Sequence, residues 1–408
     1  MKICNIIQRY PPAIGGSEIW CQKVCQYISK KGNEVLVLTL NINREEEFWK
    51  EPTPEDCILR LGPCNYDGKI KVRRYQRSLP VYWIYHGIYK FLYEILGIYF
   101  YGPHSLEMYV KMYSEIKNCD IVHTYTIPYP HNYISVIMAK LARKRIVITP
   151  FFHVGHPHYE RLSFYILIRL CDAVIVMSDY EKKHFIKKGI SPKKLFVTGA
   201  GVDPEVYTQK NYEEFKDKLK KYDINDETKL VVFLGRKTDY KGTDQLIAAA
   251  KKILLDRRDV KFLLVGPTNP WFDNLYNELS SEEKNFIIDV GFLDEEDKIN
   301  LLHRADLLCL PSKFESFGIV YLEAWICNTA VIGSDRGAQP SVIEDGGLTF
   351  EYGNIVELTD KILYLLDNTD LSQEMVKNGK RLVDEKYTWD RIGENVLNIY
   401  ETLDESKK

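Results

Sequence analysis

Short apolar runs alternate along the chain with longer segments in which apolar residues recur every three or four positions. The short runs are typical of buried strands in a parallel sheet, and the longer segments are typical of amphipathic helices. In the first half, the pattern predicts strands at Lys2 to Ile7, Val35 to Leu40, Ile121 to Val122, Ile146 to Thr149, Ala173 to Met177 and Leu195 to Val197. Strands and helices that alternate in this way predict an α/β domain.

A second series of the same kind begins at Leu230. It predicts strands near residues 230–234, 261–265, 286–290, 306–310 and 330–333. Between the two series, Asp203-Pro204 and the charged stretch Gln209 to Thr228 predict a hinge and then an amphipathic helix, and Gly199 and Gly201 are interpreted as hinge residues. A length of 408 residues suits two domains, which we place at residues 1–205 and 206–385.

The composition is that of an ordinary soluble protein, with 45% hydrophobic and 27% charged residues. A formal net charge of −2 argues against a nucleic-acid partner, which would call for a strongly basic surface. The nine cysteines are scattered without a C-x-x-C pair, which indicates buried thiols in a reducing compartment. Polar residues interrupt the first apolar run too early for a secretory signal, so a cytoplasmic location is predicted.

An aromatic-rich segment, residues 81–102, stands out from this composition. His86, Lys90 and Glu94 interrupt it at four-residue intervals on one helical face, so an amphipathic helix is a better interpretation than a transmembrane span. Basic residues precede the segment: Lys69, Lys71, Arg73, Arg74 and Arg77. An ordinary helix that covers the first sheet and a helix that docks at a bilayer both fit this pattern. Peripheral contact of residues 69–101 with the inner face of the membrane is therefore a hypothesis.

Two glutamates with seven residues between them mark the candidate chemistry of the second domain. Glu315 lies in the loop after the strand predicted at 306–310, and Glu323 lies about one turn into the apolar helix predicted from Ile319 to Ile326. The start of a helix carries unpaired N–H donors and partial positive charge, so a phosphate can rest there while carboxylates hold neighbouring hydroxyls. The natural ligand for this arrangement is a diphosphate that carries a sugar.

Arg236 and Lys241 supply cations in the loop after the strand predicted at 230–234, with Gly235 and Gly242 beside them. Arg offers a planar fork and Lys a point charge, a pair suited to neutralising two phosphate groups. In a doubly wound sheet such loops open on the carboxyl edge, where ligands bind. The two cations are therefore expected to converge with Glu315 and Glu323.

Together with other short motifs, these segments resemble the retaining, nucleotide-sugar-dependent glycosyltransferases of family 4. The motifs occur in this order: PPAIGGSE at 11–18, His153 after a strand, Ser178, Gly201-Val202-Asp203, Gly235-Arg236 with Lys241-Gly242, the two glutamates, and Tyr387-Thr388-Trp389 before a last helix. The resemblance spans nearly the whole chain.

The resemblance implies the GT-B fold, with two Rossmann-like domains that face each other across a cleft. It implies that residues 1–205 bind the acceptor, that residues 206–385 bind the nucleotide-sugar donor, and that a helix within 386–408 crosses back to the first domain. The implied catalytic residues are Arg236, Lys241, Glu315 and His153. The implied donor-binding residues are Gly15, Gly16, Gly318, Ile319, Val320 and Glu323. In this scheme Glu323 holds the ribose hydroxyls and Glu315 holds a hydroxyl of the sugar.

Three histidines in the segment TPFFHVGHPH, namely His153, His156 and His158, invite a metal interpretation. Their spacing lacks a helix or an acidic partner, and Arg and Lys do the work of a metal in this kind of transferase, so neither a metal nor another cofactor is expected. His123 either faces the cleft or is a packed, hydrogen-bonded histidine. Ser178 has Glu181 at capping-box spacing, which explains it as a helix cap, and a substrate contact is the alternative.

The predicted reaction is the transfer of a sugar, with retention, from a nucleoside-diphosphate sugar to a hydroxyl of a glycan or lipid-linked acceptor. A GT-B sugar-nucleotide epimerase and a noncatalytic carbohydrate-binding protein are the alternatives. A noncatalytic scaffold would be expected to lose one of the two cations or one of the two glutamates, and all four are present.

Overall fold

The chain folds into two compact units. The computed structural model describes residues 1–13, 15–42, 64–77, 102–208 and 211–405. The first unit consists of Met1–Ala200 and Trp389–Lys408, and the second unit consists of Gly201–Thr388. Each unit is built around its own sheet.

Among the described residues, the sheet of the first unit has eight strands in the order β3-β4-β2-β1-β5-β6-β7-β8. Its strands are β1 (Lys2–Ile6), β2 (Glu34–Leu40), β3 (Cys64–Asp67), β4 (Ile70–Tyr75), β5 (Ile121–Tyr125), β6 (Arg145–Thr149), β7 (Ala173–Val176) and β8 (Leu195–Val197). The hairpin partners β3 and β4 are antiparallel, and the remaining neighbours are parallel. The central strand β5 is buried along its whole length, as expected for a parallel strand that is covered on both faces.

The helices of the first unit come from both ends of the chain. In the described ranges the α-helices are Gly16–Lys30, Leu106–Ile116, His131–Leu141, Leu162–Leu170, Asp179–Lys187 and Trp389–Glu405. Gly393 in the last helix faces the first helix, because a Cβ atom on Gly393 would lie 2.3 Å from Cγ of Tyr27. The last helix therefore belongs to the first unit, which confirms the crossing that the resemblance implies.

The sheet of the second unit has six parallel strands in the order β11-β10-β9-β12-β13-β14. Its strands are β9 (Lys229–Leu234), β10 (Val260–Val265), β11 (Ile287–Gly291), β12 (Leu307–Leu310), β13 (Ala330–Ser334) and β14 (Leu348–Phe350). Its α-helices are Tyr212–Lys220, Thr243–Ile253, Pro270–Asn277, Ser281–Lys284, Glu295–Arg304, Ile319–Ile326, Gln339–Ile343, Ile355–Asp367 and Thr369–Lys386. A 3-10 helix, Pro204–Tyr207, precedes them.

The order of these strands reverses direction between β9 and β12. At such a switch point the loops after the two central strands part to opposite faces of the sheet and leave a crevice at its carboxyl edge. The loop after β9 carries Arg236 and Lys241, and the loop after β12 carries Glu315. The sheet order thus places the predicted cations and the predicted carboxylate at the edge of one crevice.

The basic residues before the aromatic segment differ from their predicted setting. Residues 70–75 form β4, which pairs with β2, whereas the apolar pattern predicted no strand there. Arg74 is buried and donates a hydrogen bond from Nη2 to the carbonyl oxygen of Pro11 at 2.6 Å, and Arg73 pairs with Glu115. Arg74 is therefore inaccessible from the surface, and the charge of Arg73 is paired within the unit.

Residues 81–101 of the aromatic segment lie outside the described residues. Within the described part of the chain, no helix combines the length and the apolar character that crossing a bilayer requires.

Candidate active site

An ion pair in the second unit joins the loop after β9 to the loop after β12. Nζ of Lys241 donates a hydrogen bond to Oε2 of Glu315 at 2.6 Å. The two side chains are only 18% and 11% exposed, so the pair is better shielded from water than a surface ion pair. A cation and a carboxylate that are 74 residues apart in the sequence thus meet at the edge of the crevice.

Gly242 lets the two loops approach each other. Its φ of 73° lies in the left-handed region, which favours glycine. A side chain on Gly242 would collide with the backbone of Pro311, and the N–H of Lys313 donates to the carbonyl oxygen of Tyr240 at 2.8 Å. The glycine beside Lys241 is therefore a packing requirement of the site.

The helix Ile319–Ile326 begins at Gly318, which has a left-handed φ of 90°. A Cβ atom on Gly318 would lie 2.6 Å from the ring of Tyr321. Among the described residues no side chain caps this helix, so its first-turn N–H groups are not taken by a capping side chain. Ile319 and Val320, the first two helical residues, are half-buried. This helix start can accept the negative charge of a phosphate.

Glu323 lies inside the unit, with 7% of its surface exposed. Its Oε1 accepts hydrogen bonds from the hydroxyl of Tyr207 at 2.8 Å and from Nζ of Lys298 at 3.1 Å. Its Oε2 is buried and has no hydrogen-bond partner among the described residues. The sequence indicated Glu323 but neither of its two partners.

Arg236 and Lys237 are neighbours with opposite exposure. The Arg236 side chain is exposed in the loop after β9, five positions before Lys241. Lys237 is fully buried, pairs with Asp289 on β11 and lies 4.9 Å from the ring centre of Phe272. The buried ion pair fixes the root of the loop, while Arg236 remains open to a ligand.

The loop after β13 also contacts the loop that carries Glu315. The N–H of Ala338 donates to the carbonyl oxygen of Glu315 at 3.0 Å. Nε2 of Gln339 donates to the carbonyl oxygen of Ser312 at 2.7 Å, and the hydroxyl of Tyr321 donates to Oε1 of Gln339 at 2.6 Å. This buried network ties the loops after β12 and β13 together, so the carboxylate stands on a rigid base.

In the first unit, the predicted residues Gly15 and Gly16 begin the helix Gly16–Lys30. Gly15 occupies the cap position of this helix, and the hydroxyl of Ser17 donates to Glu18 at 2.7 Å. Glu18 is buried and also accepts a hydrogen bond from Nε of Arg9 at 2.8 Å. A Cβ atom on Gly15 would lie 2.3 Å from Oε2 of Glu18, so a side chain at this position would displace the carboxylate.

His153 follows a turn in which Phe151 has a positive φ of 48°, an uncommon conformation for an aromatic residue. Glu181 lies in the helix Asp179–Lys187, and its carboxyl group accepts a hydrogen bond from the N–H of Met177 at 2.8 Å. Its Oε1 is buried and has no hydrogen-bond partner among the described residues. Burial raises the pKa of Glu181 to about 8.

The three histidines after β6 stay close to aromatic rings. The rings of His153 and Tyr159 are 5.1 Å apart, and those of His156 and His158 are 5.3 Å apart. In the described ranges, no group of three or more His, Cys, Asp or Glu side chains is arranged to hold a metal ion.

Of the two interpretations of His123, the structure supports the packed, hydrogen-bonded histidine. It is fully buried, and its Nε2 and Nδ1 lie 2.7 Å from Oγ1 of Thr149 and 2.5 Å from the hydroxyl of Tyr400. Burial lowers its pKa well below the ordinary value, so the ring is neutral. Ser178 caps the next helix by accepting from the N–H of Glu181 at 3.3 Å, as predicted.

The structure therefore gathers most of the predicted donor residues in one unit. The second unit holds Arg236, Lys241, Glu315, Gly318, Ile319, Val320 and Glu323 on the loops and helix starts at the carboxyl ends of β9 and β12. Gly15, Gly16 and His153 belong to the first unit.

Sequence reasoning missed Tyr207, Lys298 and Lys237. Tyr207 lies in a segment interpreted only as a hinge, and Lys298 lies on a charged helix. The spacing of Glu295 and Lys298 is that of an ordinary ion pair on a helix surface, so no sequence signal distinguished this lysine.

Two family models match the two halves of the chain. The model of glycosyltransferase family 4 matches residues 14–206, and the model of glycosyl transferases group 1 matches residues 214–382. Together with the two Rossmann-like units, these matches define the class of the protein as a GT-B glycosyltransferase. The chain belongs to glycosyltransferase family 4 and is a transferase enzyme.

Relatives of similar length support this assignment. The chain is 24% identical to an uncharacterized glycosyltransferase of Methanocaldococcus jannaschii, over 98% of each protein. It is also 24% identical to the N-acetyl-alpha-D-glucosaminyl L-malate synthase of Bacillus anthracis, over 96% of this chain and 94% of that protein. Among solved structures, HepE of Anabaena in complex with UDP has a TM-score of 0.74 at 17% identity, over 98% of this chain and all of HepE. This last likeness concerns the fold.

Proposed function

We propose that the protein is a retaining glycosyltransferase that moves a sugar from a nucleoside-diphosphate sugar to a hydroxyl of a glycan or lipid-linked acceptor. The observation that carries the proposal is the shielded pair of Lys241 and Glu315 beside the uncapped helix start at Gly318. A diphosphate needs cations and N–H donors, and the sugar attached to it needs a hydrogen-bond acceptor. The second unit provides all three.

Each group has a role that follows from its chemistry. Arg236 and Lys241 neutralise the diphosphate, and the first-turn N–H groups of Ile319 and Val320 bind its oxygen atoms. In the structure Glu315 accepts a hydrogen bond from the ammonium of Lys241. When the donor binds, its phosphate shares that ammonium, and Glu315 becomes available to accept a hydrogen bond from a sugar hydroxyl.

The leaving group determines the chemistry of the transfer. The bond between the anomeric carbon and the phosphate oxygen breaks, and negative charge develops on the departing diphosphate. Arg236, Lys241 and the helix start stabilise that charge more in the transition state than in the bound donor, which lowers the barrier. The scheme involves no metal and no cofactor.

Retention follows if the acceptor attacks from the side that the phosphate leaves. The new bond joins the acceptor oxygen to the anomeric carbon, and the hydroxyl proton passes to an oxygen of the departing diphosphate. The motif offers no carboxylate with an evident role as the nucleophile of a double displacement. The roles that the resemblance implies for His153, Gly15 and Gly16 of the first unit are part of this proposal.

Incubation with a panel of UDP-, GDP- and ADP-sugars tests the reaction and identifies the donor. Slow hydrolysis with release of a nucleoside diphosphate and a sugar of unchanged anomeric configuration is the expected result. The UDP bound by HepE makes UDP-sugars the first donors to test. A sugar nucleotide recovered with altered ring stereochemistry would indicate an epimerase. If none of the sugar nucleotides in the panel reacts, the result would argue against their use as donors.

The acceptor is proposed to lie at the cytoplasmic face of a membrane. Lys69 is exposed and Lys71 is half-buried, and the aromatic segment follows them in the sequence. Arg74 does not contribute, because it is buried in the first unit, and the charge of Arg73 is already paired with Glu115. Sedimentation with anionic liposomes at low salt is the test, with neutral liposomes as the control. The absence of binding to anionic liposomes would contradict the proposal.

A further inference from the structure

Both hydrogen bonds that the structure gives to the carboxylate of Glu323 end on one oxygen atom. The Tyr207 hydroxyl donates to Oε1 at 2.8 Å, and Nζ of Lys298 donates to the same atom at 3.1 Å. These donors come from the 3-10 helix Pro204–Tyr207 and the helix Glu295–Arg304. Two separate elements thus converge on half of one carboxylate.

The other oxygen atom, Oε2, is buried and has no hydrogen-bond partner in the part of the chain that the structure describes. Only 7% of Glu323 as a whole is exposed, so water cannot fully replace a missing donor. Leaving a buried carboxylate oxygen without a hydrogen bond is costly, and such atoms are rare in folded proteins. A hydroxyl brought by a ligand would remove that cost.

Two neighbouring carboxylates keep Lys298 positively charged beside Glu323. Burial alone would lower the pKa of Lys298, but the negative charges of Glu323 and Glu295 outweigh burial and raise it above the ordinary value. Its ammonium also pairs with Glu295 at 2.7 Å and lies 5.7 Å from the ring centre of Tyr207. Burial and the charge of Glu323 raise the pKa of Tyr207, so its hydroxyl keeps its proton and remains a donor.

We propose that Tyr207 and Lys298 are positioning residues for the nucleotide donor. By holding Oε1 of Glu323, they fix the carboxylate so that Oε2 is its remaining acceptor, which the hydroxyls of a nucleotide ribose satisfy. This inference rests on the proposed function, in which Glu323 binds the ribose. Tyr207 and Lys298 act through Glu323 and need no contact with the donor.

The test measures how strongly the full chain prefers a ribose to a sugar without its hydroxyls. UDP, GDP and ADP are titrated calorimetrically into the protein, and the tightest binder is compared with its 2′,3′-dideoxy form. The wild type should prefer the ribonucleotide by about tenfold or more, because a hydrogen bond to a charged, buried acceptor is lost in the dideoxy form. In Lys298→Met and Tyr207→Phe the ratio of the affinity for the ribonucleotide to the affinity for its dideoxy form should fall toward one. The affinity for the dideoxy form itself should stay near that of the wild type.

Matched controls separate positioning from general damage. Lys218→Met removes an exposed lysine that pairs at 3.0 Å with Asp297, the residue next to Lys298 on the helix Glu295–Arg304. Tyr276→Phe removes a hydroxyl that donates to the carbonyl oxygen of Ile287 at 3.0 Å. Both controls should keep the wild-type preference. Lys298→Arg keeps the charge and should restore part of the preference that Lys298→Met loses.

The outcomes distinguish this inference from the function on which it rests. If Lys298→Met and Tyr207→Phe weaken both nucleotides equally and leave the preference unchanged, the two residues are structural and the inference is wrong. A wild type that binds a nucleoside diphosphate without preferring its ribose would also overturn it. If the wild type binds none of the three diphosphates, the proposed donor site itself fails.

Discussion

The carbonyl oxygen of Pro311 lies 1.9 Å from the place that a Cβ atom on Gly242 would occupy. This close approach brings the loop after β9 against the loop after β12, and so brings Lys241 to Glu315. The substitution Gly242→Ala should therefore separate the loops. It should destabilise the protein by about 1–2 kcal/mol for the left-handed backbone and by a further 1–3 kcal/mol, roughly, for the displaced backbone.

Differential scanning calorimetry of the full chain checks this effect, and Gly353→Ala is the matched control. Gly353 also has a left-handed φ, of 95°, but apart from Gly353 itself and its two chain neighbours no heavy atom of the described residues lies within 4 Å of the place that its Cβ atom would take. This control should cost only about 1–2 kcal/mol, because it strains the backbone without a collision. Equal losses of stability in the two variants would show that the Pro311 contact is unimportant.

Lys241→Ala should lower turnover roughly 100-fold or more, because the ammonium stabilises charge on the departing diphosphate. The measurement is the initial rate of nucleoside-diphosphate release from the sugar nucleotide that the panel identifies. Lys251→Ala is the control, since Lys251 lies on the following helix in an exposed pair with Glu283 at 3.1 Å. A near-normal rate for Lys241→Ala would remove this lysine from the mechanism.

The sequence was sufficient for the strands whose side chains are apolar on both faces. β9 and β12 read as continuous apolar runs, and the rule that loops open at the carboxyl edge then brought Lys241 and Glu315 together correctly. The hairpin of β3 and β4 was not predicted, because its edge strand Cys64–Asp67 alternates between exposed and half-buried residues and carries no apolar run.

Contacts between distant polar residues were beyond the reach of sequence patterns. Tyr207 reaches Glu323 across 116 positions, and its own surroundings in the sequence suggest only a hinge. Lys237 and Arg236 are adjacent basic residues, and nothing in the sequence shows that one is buried against Asp289 while the other is exposed. Local periodicity specifies which face of an element is apolar, but polar partners depend on how the elements pack.

Gly393→Ala should destabilise the protein, which reverses the usual effect of this substitution. Alanine in place of glycine stabilises an unobstructed helix by about 1 kcal/mol. Here the added methyl group would lie 2.3 Å from Cγ of Tyr27, so the last helix would have to move away from the helix Gly16–Lys30. Calorimetry should show a lower melting temperature.

A double-mutant cycle identifies the origin of that effect. Truncation of the ring in Tyr27→Ala should relieve the collision, so Gly393→Ala should cost less in the Tyr27→Ala background than in the wild type. Asn398→Ala, at an exposed position of the same helix, should leave the melting temperature nearly unchanged. Additive effects of the two substitutions would contradict a direct collision with Tyr27.

Glu181 should make stability fall as the pH rises. Burial raises its pKa from 4.5 to about 8, so the folded protein keeps a proton on this carboxyl group over a pH range in which the unfolded chain releases it. Because the folded state binds more protons, the contribution of Glu181 to stability is fully present below about pH 4.5 and is lost progressively up to about pH 8.

In Glu181→Gln the side chain has no proton to lose, and its amide oxygen can still accept from the N–H of Met177. Urea unfolding at several pH values should therefore show the variant gaining on the wild type by a few kcal/mol between about pH 5 and pH 8. Asp179→Asn, which removes an exposed carboxylate from the same helical turn, serves as the control and should follow the wild-type profile. A difference between Glu181→Gln and the wild type that is constant with pH would mean that Glu181 is ionised in the folded protein.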